Sequence, residues 1–519
     1  MRNLYIVLFL VFSATAAFGQ ATGDYRSVAD GNWSSAATWE VWSGSAWLAA
    51  GNPPNGSEVI TIQVEDSVAI DVAVAIVDTL IYRGHLTGGP NLTIGDGGVF
   101  QYDRNAGSLP DSTTWATGST YYLTGITSTA PSNRNQDFYD IVINTPNMAS
   151  NRDLGFDSTT VYGDITVIAT GTGSIRWQMC APLAGDTTIA WIHGDIIQQG
   201  GAFSSNGTSN ANSHVIIHHY GNTIVTGGNF SVGRGSQGGT GTVRWHLYGD
   251  LSMSNATTQN SNSAGARFVF AKQGVQNLDL GAGNTLTAFP MVIDSGATVN
   301  MGLSKLRGSG RFELDADGSL ATAEPGGLDS AVVVTGTVAL DSAAAYIFNG
   351  TTGNQVTGLT LPAKVRMLVN ENPDTLILSQ ATTIYGPLIL RDGIFNNTIP
   401  FDLGATGWIV FDGGNLLLGV PTSAGTEEST IPASFYVGQN YPNPFNPATV
   451  IRYGLPTASN VSANVFNMLG QKVATVFEGR KEAGTHELRF NAANLPSGVY
   501  LLRVQAGGHS TVQRMVLMK

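Results

Sequence analysis

Residues 193–196 read HGDI, a pattern of aromatic residue or histidine, glycine, aspartate or proline, and isoleucine or leucine that recurs along the chain. The other copies are Tyr162-Gly163-Asp164-Ile165, Tyr248-Gly249-Asp250-Leu251 and Tyr385-Gly386-Pro387-Leu388. Glycine, aspartate and proline favour turns, and the apolar residue after them begins a strand. Short strands with a turn in every repeat are typical of a parallel β-helix or a related solenoid.

A longer unit also recurs imperfectly. It reads YYLTGITS…NQDFYDIVIN at 121–144, FVFAKQGVQNLDLGAGNTLTAFPMVID at 268–294 and YIFNGTTGNQVTGLTLPAKVRMLVN at 346–370. In each copy a short aromatic strand precedes a turn rich in glycine and asparagine, and an apolar strand follows. The glycines of the shorter motif are 31, 55 and 137 residues apart, so the spacing is irregular. Tandem β-sandwich domains would show the same short strands and are the alternative.

Composition favours an all-β protein with more than one domain or a repeat array. The chain has 519 residues, which exceeds one ordinary compact core, and it contains 64 glycines with only 12 % charged residues. Such a composition disfavours long helices, and 42 % hydrophobic residues are too many for a disordered chain. The single cysteine, Cys180, cannot form an internal disulfide, so packing alone must stabilise the fold.

Charge separates the chain into two parts. From Phe435 onward there are eight Lys and Arg residues against three acidic ones. Residues 20–434 carry 34 acidic against 16 basic residues. An acidic region of this kind repels nucleic acid and anionic membranes, so we expect no nucleic-acid partner for residues 20–434.

The amino terminus has the pattern of a signal peptide. Arg2 precedes an apolar run from Leu4 to Phe12, and small residues lead to Ala17-Phe18-Gly19. We predict a signal peptide over residues 1–19 with cleavage before Gln20. No later window is long and apolar enough for a transmembrane helix, so we predict no transmembrane segment.

The carboxy terminus carries several ordered motifs. Alternating apolar residues and turns predict six or seven short strands over about 80 residues, as in a small β-sandwich. The motifs are YPNPFNPATVIRY at 441–453, VFNMLGQKV at 465–473, EAGTHELRFNAANLPSGVYLLRVQAGG at 482–508 and QRMVLMK at 513–519. Residues 435–519 thereby resemble the type A carboxy-terminal sorting domain of the type IX (Por) secretion system, an immunoglobulin-like module.

This resemblance implies export across an outer membrane in Bacteroidetes-type bacteria. It implies contact with the type IX secretion machinery and with a surface sortase, which removes the domain and leaves the passenger released or surface-attached. The positions that carry the family pattern, and so the sorting signal, are Gly470, Gly484, Gly498, Tyr500 and Lys519, with Arg514 where a lysine is common.

The region before the sorting domain divides into three predicted segments. Residues 20–118 form a Trp-rich amino-terminal cap with the first β rungs, residues 119–421 a solenoid-like repeat region, and residues 422–434 a polar linker. Four tryptophans lie near the start: Trp33, Trp39, Trp42 and Trp47. Large aromatic residues suit the cap of an open solenoid end, and exposed rings would instead form a platform for sugars.

Motifs for metal and catalytic sites are weak. His214 and His218 share a strand face beside His219, but no cysteine or glutamate lies near them. Asp315 and Asp317 resemble the start of a calcium loop, yet Gly326 stands where the terminal acidic ligand belongs. We therefore predict no metal and no cofactor, with Asp315 and Asp317 as the only calcium candidates.

The repeated aspartates of the short motif are interpreted as turn residues, because catalysis needs one constellation and not a periodic one. No catalytic residue is identified, and the enzyme class stays open. Two functions remain: an adhesin, glycan-binding or envelope structural protein, and a β-helix polysaccharide lyase or glycoside hydrolase.

Asp-Ser or Asp-Thr pairs before an apolar residue or threonine resemble the O-glycosylation site of exported Bacteroidetes proteins. They also form turns, and both interpretations remain open. The candidate hydroxyl residues are Ser67, Thr79, Ser112, Ser158, Thr187, Ser330, Ser342 and Thr375.

Overall fold

The computed structural model describes residues 20–207, 210–235, 239–258, 265–281, 286, 289–417, 435–438, 440, 443–468 and 470–519. The predicted signal peptide and linker lie outside these residues. The chain divides into two compact units, Met1–Thr422 and Ser423–Lys519, and each is described by itself.

The first unit is a β-solenoid of about 15 turns, as the short motif predicts. Its strands stack in parallel, and one sheet of 19 strands, the long sheet, runs through the unit. The strands of the long sheet are Tyr25–Ser27, Trp39–Trp42, Trp47–Ala49, Ile60–Ile62, Thr79–Tyr82, Val99–Tyr102, Thr120–Leu123, Asp140–Asn144, Ile165–Ala169, Ile196–Gln198, Thr223–Val225, Leu251–Met253, Gly274–Asp279, Ala297–Asn300, Ser319–Thr322, Ala345–Phe348, Met367–Asn370, Pro387–Leu390 and Trp408–Phe411.

Two further sheets complete the central coils. The second sheet has eight strands, and the third sheet has five. The second sheet consists of Thr159–Val161, Thr187–Ile192, His214–His219, Thr242–Leu247, Ala266–Phe270, Pro290–Ile293, Arg311–Leu314 and Val338–Leu340. The third sheet consists of Arg152–Asp153, Trp177–Cys180, Ala202–Asn206, Gly228–Ser231 and Ala256–Thr258.

Shorter sheets and single turns of helix close the remaining sides of the coils. The short strands before residue 120 are Gly31–Asn32, Ser67–Ala69, His85–Thr87, Val74–Ile76, Leu92–Ile94 and Thr114–Trp115. Those after residue 300 are Leu306–Gly308, Val332–Val334, Gln355–Val356, Thr375–Ile377, Ile394–Asn396, Asn415–Leu416, Lys364–Val365, Thr382–Ile384 and Phe401–Leu403. The described helices are Leu328–Ala331 (α), and Ala36–Thr38 and Gly89–Asn91 (3₁₀).

Strand pairing rejects tandem sandwiches for this unit. Corresponding strands of successive coils pair in parallel, whereas the antiparallel pairs between named strands are confined to the hairpin that begins at Tyr25. Each longer repeat unit covers one coil. Its two strands are neighbours in a sheet, for example Tyr121 opposite Ile141. The units are not equivalent, however, because 268–294 begins and ends on the second sheet and the other two on the long sheet.

Alternation places the side chains. In the strand His214–His219, residues 215, 217 and 219 are buried, while residues 214, 216 and 218 are half-buried. Alternate side chains therefore face the solenoid interior and its surface. The interior is one continuous hydrophobic core that extends from Trp33 to Phe401.

The second unit contains seven described strands in two antiparallel sheets. One sheet consists of Tyr436–Val437, Ala448–Leu455 and Gly484–Asn491, and the other of Ser459–Phe466, Lys472–Lys481, Gly498–Ala506 and His509–Leu517. Residues of both sheets, among them Ile451 and Leu502, bury in one hydrophobic cluster. The immunoglobulin-like sandwich stays a prediction.

Candidate functional site

The short motif forms the corner at which each central coil passes from the second sheet to the long sheet. Its glycines allow successive corners to stack closely. A Cβ on Gly194 would lie 2.3 Å from the carbonyl oxygen of Gly163, and one on Gly221 would lie 2.0 Å from that of Gly194. Any larger residue would push the coils apart, so the corner requires glycine.

The residue after the glycine joins each corner to the next. The backbone N–H of Asp195 donates to Asp164 Oδ1 at 2.7 Å, and that of Asn222 donates to Asp195 Oδ1 at 2.7 Å. Six residues form this acid–amide ladder: Asp140, Asp164, Asp195, Asn222, Asp250 and Asn277. The repeated aspartates are therefore the turn residues that the sequence indicates.

Burial shifts the pKa of the first two carboxyls of this ladder, Asp140 and Asp164. It raises the pKa of Asp140 and Asp164 above the ordinary value, although a backbone hydrogen bond opposes it. The next aspartate along the ladder raises each pKa further. The ladder thus holds half-buried carboxyls at the cost of mutual repulsion.

The residue before the glycine stacks on its neighbours; it is exposed at Tyr162, His193 and Tyr220 and half-buried at Tyr248. The rings of Tyr162, His193, Tyr220 and Tyr248 form a ring ladder on four consecutive coils. Their centroids are 5.8, 5.0 and 5.0 Å apart, and adjacent rings are tilted by 6 to 15°. Tyr162 is 55 % exposed and Tyr220 is 45 % exposed. Sequence reasoning did not recognise the rung Tyr220-Gly221-Asn222-Thr223.

A second row of rings lies beside the ring ladder on the second sheet. Trp191, His218 and His246 occupy paired positions of three neighbouring strands. Their centroids are 6.4 and 5.4 Å apart, and the rings are within 15° of parallel. The ring ladder and this inner row together form one surface, which we call the ring face.

Stacking covers much of the ring surfaces on the ring face, and one imidazole nitrogen is itself buried. His218 Nδ1 has no hydrogen-bond partner in the described part of the chain. Burial lowers the pKa of His218, and burial followed by the charge of His218 lowers that of His246. The lowered pKa favours the neutral form of both imidazoles, in which one ring nitrogen is a donor and the other an acceptor.

Charged residues flank the ring face. Arg244 pairs in register with Arg267, whose Nε lies 3.1 Å from Glu313 Oε2. Asp294 acts electrostatically on Tyr248, whose pKa is raised first by burial. The ring ladder thus runs from the exposed Tyr162 to Tyr248, the ring on which the Asp294 carboxylate acts.

The three predicted histidines do not converge. His219 points inward, where Nε2 lies 3.0 Å from Gly194 O and Nδ1 lies 3.2 Å from Thr223 Oγ1. Burial lowers its pKa to about 3, so it is a neutral core residue. His214 Nδ1 instead lies 2.9 Å from Thr242 Oγ1. Across the described ranges no group of three or more His, Cys, Asp or Glu side chains is arranged for a metal.

The calcium candidates lie in a turn. Asp317 has a left-handed backbone with φ of 61°, and its Oδ1 is 3.5 Å from Arg366 Nε. The pKa of Asp315 is raised by burial first and then by Asp294, Glu313 and Asp341. Asp317 thus belongs to an ion pair with Arg366, and Asp315 lies among other acidic residues.

The four tryptophans separate into two pairs. Trp33 and Trp39 are both 1 % exposed and meet edge to face at 5.0 Å. Trp33 Nε1 donates to Pro54 O, and Trp39 Nε1 donates to Trp33 O. Buried rings cannot stack on sugars, so a platform that includes this pair is wrong. Trp42 and Trp47 are half-buried and pack together at 5.4 Å, with Arg26 over Trp47.

The candidate glycosylation residues all lie at the surface. Ser112, Ser158, Thr187 and Ser342 are exposed, and the other four are half-buried. Their modification stays a prediction.

The predicted sorting residues stabilise turns and the carboxy terminus of the second unit. Gly470 has φ of +78° in a hairpin turn. The Tyr500 hydroxyl donates to Pro496 O at 2.7 Å, and Lys519 Nζ donates to Ala493 O at 2.5 Å. Gly484, Gly498 and Arg514 begin or lie in strands of the two sheets. These contacts leave the role of each residue in sorting a prediction.

Comparison with known proteins identifies the tail. Residues 439–518 match the family of the secretion system C-terminal sorting domain. Searches of curated proteins and of solved structures found no match. The type IX sorting tail indicates export to the cell surface or the outside, and it implies contact with the type IX machinery. None of the helices within the described ranges is long and apolar enough to span a bilayer.

Proposed function

We propose that this exported β-solenoid is a surface or secreted glycan-binding protein whose ring face holds an extended polysaccharide along the solenoid axis. The carrying observation is the ring ladder, with one ring on each of four consecutive coils; Tyr162, His193 and Tyr220 are exposed and Tyr248 is half-buried. Signal-peptide cleavage, removal of the tail by a sortase and a Bacteroidetes-type host are parts of the same proposal. In the cell such a glycan-binding protein would act as an adhesin or as a structural component of the envelope.

Periodicity supports a polymer as the ligand. Parallel coils repeat at about 4.8 Å, the spacing of paired strands. Sugars of an extended β-linked polysaccharide repeat at a comparable distance, so each ring edge can meet one sugar. Tyrosine and histidine edges supply hydroxyl and N–H donors and matching acceptors for sugar hydroxyls. Tyrosine and tryptophan also bury apolar area with little loss of side-chain entropy.

The test is a polysaccharide screen on the full chain, with binding and newly formed reducing or unsaturated ends measured in the same wells. Tyr220→Ala interrupts the middle of the ring ladder. We expect it to weaken binding roughly 5- to 30-fold, as for the loss of about 1–2 kcal/mol. Phe411→Ala is the matched control, because Phe411 is 60 % exposed on the long sheet, away from the ring face. Equal affinities of Tyr220→Ala and wild type would overturn the proposal.

A second candidate function is a carbohydrate-active enzyme. It is favoured by Asp315, a carboxyl whose pKa is raised by burial and by the charge of Asp294. The charge of Asp294 also raises the pKa of Tyr248, the last ring of the ladder. The general acid of a glycosidase is a carboxyl whose pKa is raised. New chain ends with wild type, lost in Asp315→Asn, would establish this function. Binding without new ends would leave the glycan-binding function.

A further inference from the structure

A buried guanidinium lies beside the third sheet, apart from the ring face. Arg176 immediately precedes the strand Trp177–Cys180 and is 8 % exposed. Its Nη1 makes one long hydrogen bond, 3.4 Å to Ser174 O, and its buried Nε has no hydrogen-bond partner. Within the described ranges no carboxylate pairs with Arg176. A buried guanidinium without an acidic partner is costly, because such groups are normally paired and hydrogen-bonded.

A second guanidinium increases this local positive charge. The backbone N–H of Arg234 donates to Asn206 O, at the end of the neighbouring third-sheet strand. Burial first, and then the charge of Arg234, lowers the pKa of Arg176 to about 10. Arg234 is itself half-buried, so the pair has one member near the surface. Two neighbouring cations favour an anion between them.

Backbone and amide groups complete the surroundings of Arg176. A Cβ on Gly207 would lie 2.8 Å from Arg176 Nη2 and 1.6 Å from Gln178 Oε1. The backbone therefore approaches both side chains as closely as only glycine permits. Gln178 is 7 % exposed, and its Oε1 has no hydrogen-bond partner. Turning this amide about its last bond brings its N–H donors to the same place.

We propose that Arg176, Arg234 and Gln178 form a binding site for one oxyanion group, such as a sulfate, phosphate or carboxylate. The planar guanidinium fork matches such oxygens with two parallel hydrogen bonds. An anion would supply the acceptor that Arg176 Nε lacks and would neutralise the repulsion between the two arginines. The site is independent of the ring face and of the proposed polysaccharide function, so either can fail alone.

Equilibrium dialysis of the full chain with radiolabelled sulfate tests the site, with phosphate and acetate as competitors at constant ionic strength. We expect saturable binding of one sulfate per chain. Arg176→Gln and Arg234→Gln should each weaken it at least tenfold. Arg83→Gln, which removes an exposed arginine paired with Asp103, is the matched control and should bind as wild type.

Thermal melting separates a binding defect from misfolding. Because Arg176→Gln removes a buried charge, we expect it to melt no lower than wild type in chloride and to gain less from sulfate. Sulfate stabilises proteins generally, so the comparison is between variants and not between salts. A sulfated polysaccharide that displaces labelled sulfate would identify the polymer as the source of the anion, and a lack of displacement would identify the free ion. Unsaturable binding, or equal binding by Arg176→Gln, Arg234→Gln and wild type, would overturn the site.

Discussion

Replacing Asp164 tests whether the acid–amide ladder holds successive coils together. Asp164→Ala removes the acceptor, at 2.7 Å, of the Asp195 backbone N–H. Leaving a partly buried donor unpaired costs about 1–3 kcal/mol. Asp164→Asn keeps a side-chain oxygen at the same position, and the chain itself uses asparagine as the acceptor at Asn222.

The pKa of Asp164 fixes the sign of the pH effect. Burial first, and then the charge of Asp195, raises this pKa in the folded chain. The folded state thus binds this proton more tightly than the unfolded state. Stability therefore falls as pH rises from the unfolded pKa through the raised folded pKa, and it is regained on acidification. Asp164→Asn removes this contribution, so we expect it to be at least as stable as wild type at neutral pH.

Hydrogen exchange of the Asp195 amide measures the effect locally, which suits a repeat fold whose coils can open separately. The lost acceptor should speed exchange roughly 5- to 150-fold in Asp164→Ala. Asp164→Asn should stay within about fivefold of wild type, below the lower end of that range. Equal exchange at Asp195 in the alanine and asparagine variants would refute the ladder as a stabilising element.

Three further outcomes follow from the fold and the tail. Trp39→Ala should destabilise the first coils by about 3–5 kcal/mol, and limited proteolysis should then cut within residues 20–118, which a resistant variant would contradict. Deleting residues 435–519 should retain the passenger inside the outer membrane, and its appearance in the medium would contradict sorting by the tail. Intact mass of the secreted protein should show hexose adducts that decrease when Ser112 and Ser158 are changed to alanine, and a mass without adducts would reject the glycosylation sites.

The sequence predicted the architecture from its corners. The motif at Tyr162, His193 and Tyr248 marks the same place in three of the coils, because only glycine permits the close stacking there. The 55-residue gap that made the spacing irregular contains one more corner, at Tyr220. Its Asn222 and Thr223 replace aspartate and isoleucine, and the ladder hydrogen bond is kept because asparagine also accepts it.

The ring face was harder to predict. Trp191 and His246 are far apart in sequence, and only the parallel register with His218 brings them into one row. The four tryptophans left a cap and a sugar platform open, because aromatic content alone does not distinguish a buried cap from an exposed platform. Burial of Trp33 and Trp39 depends on how the first hairpin folds over the core. Arg176 likewise gave no signal, since its burial depends on strands that follow it.

Binding of defined oligosaccharides of increasing length tests the ring face most directly, once a polysaccharide has been found. Four rings on four coils predict that affinity rises with each sugar up to about four and then levels off, and that Tyr220→Ala abolishes the gain from the third and fourth sugars. An affinity that is independent of length, or a length dependence unchanged in Tyr220→Ala, would contradict recognition along the solenoid axis.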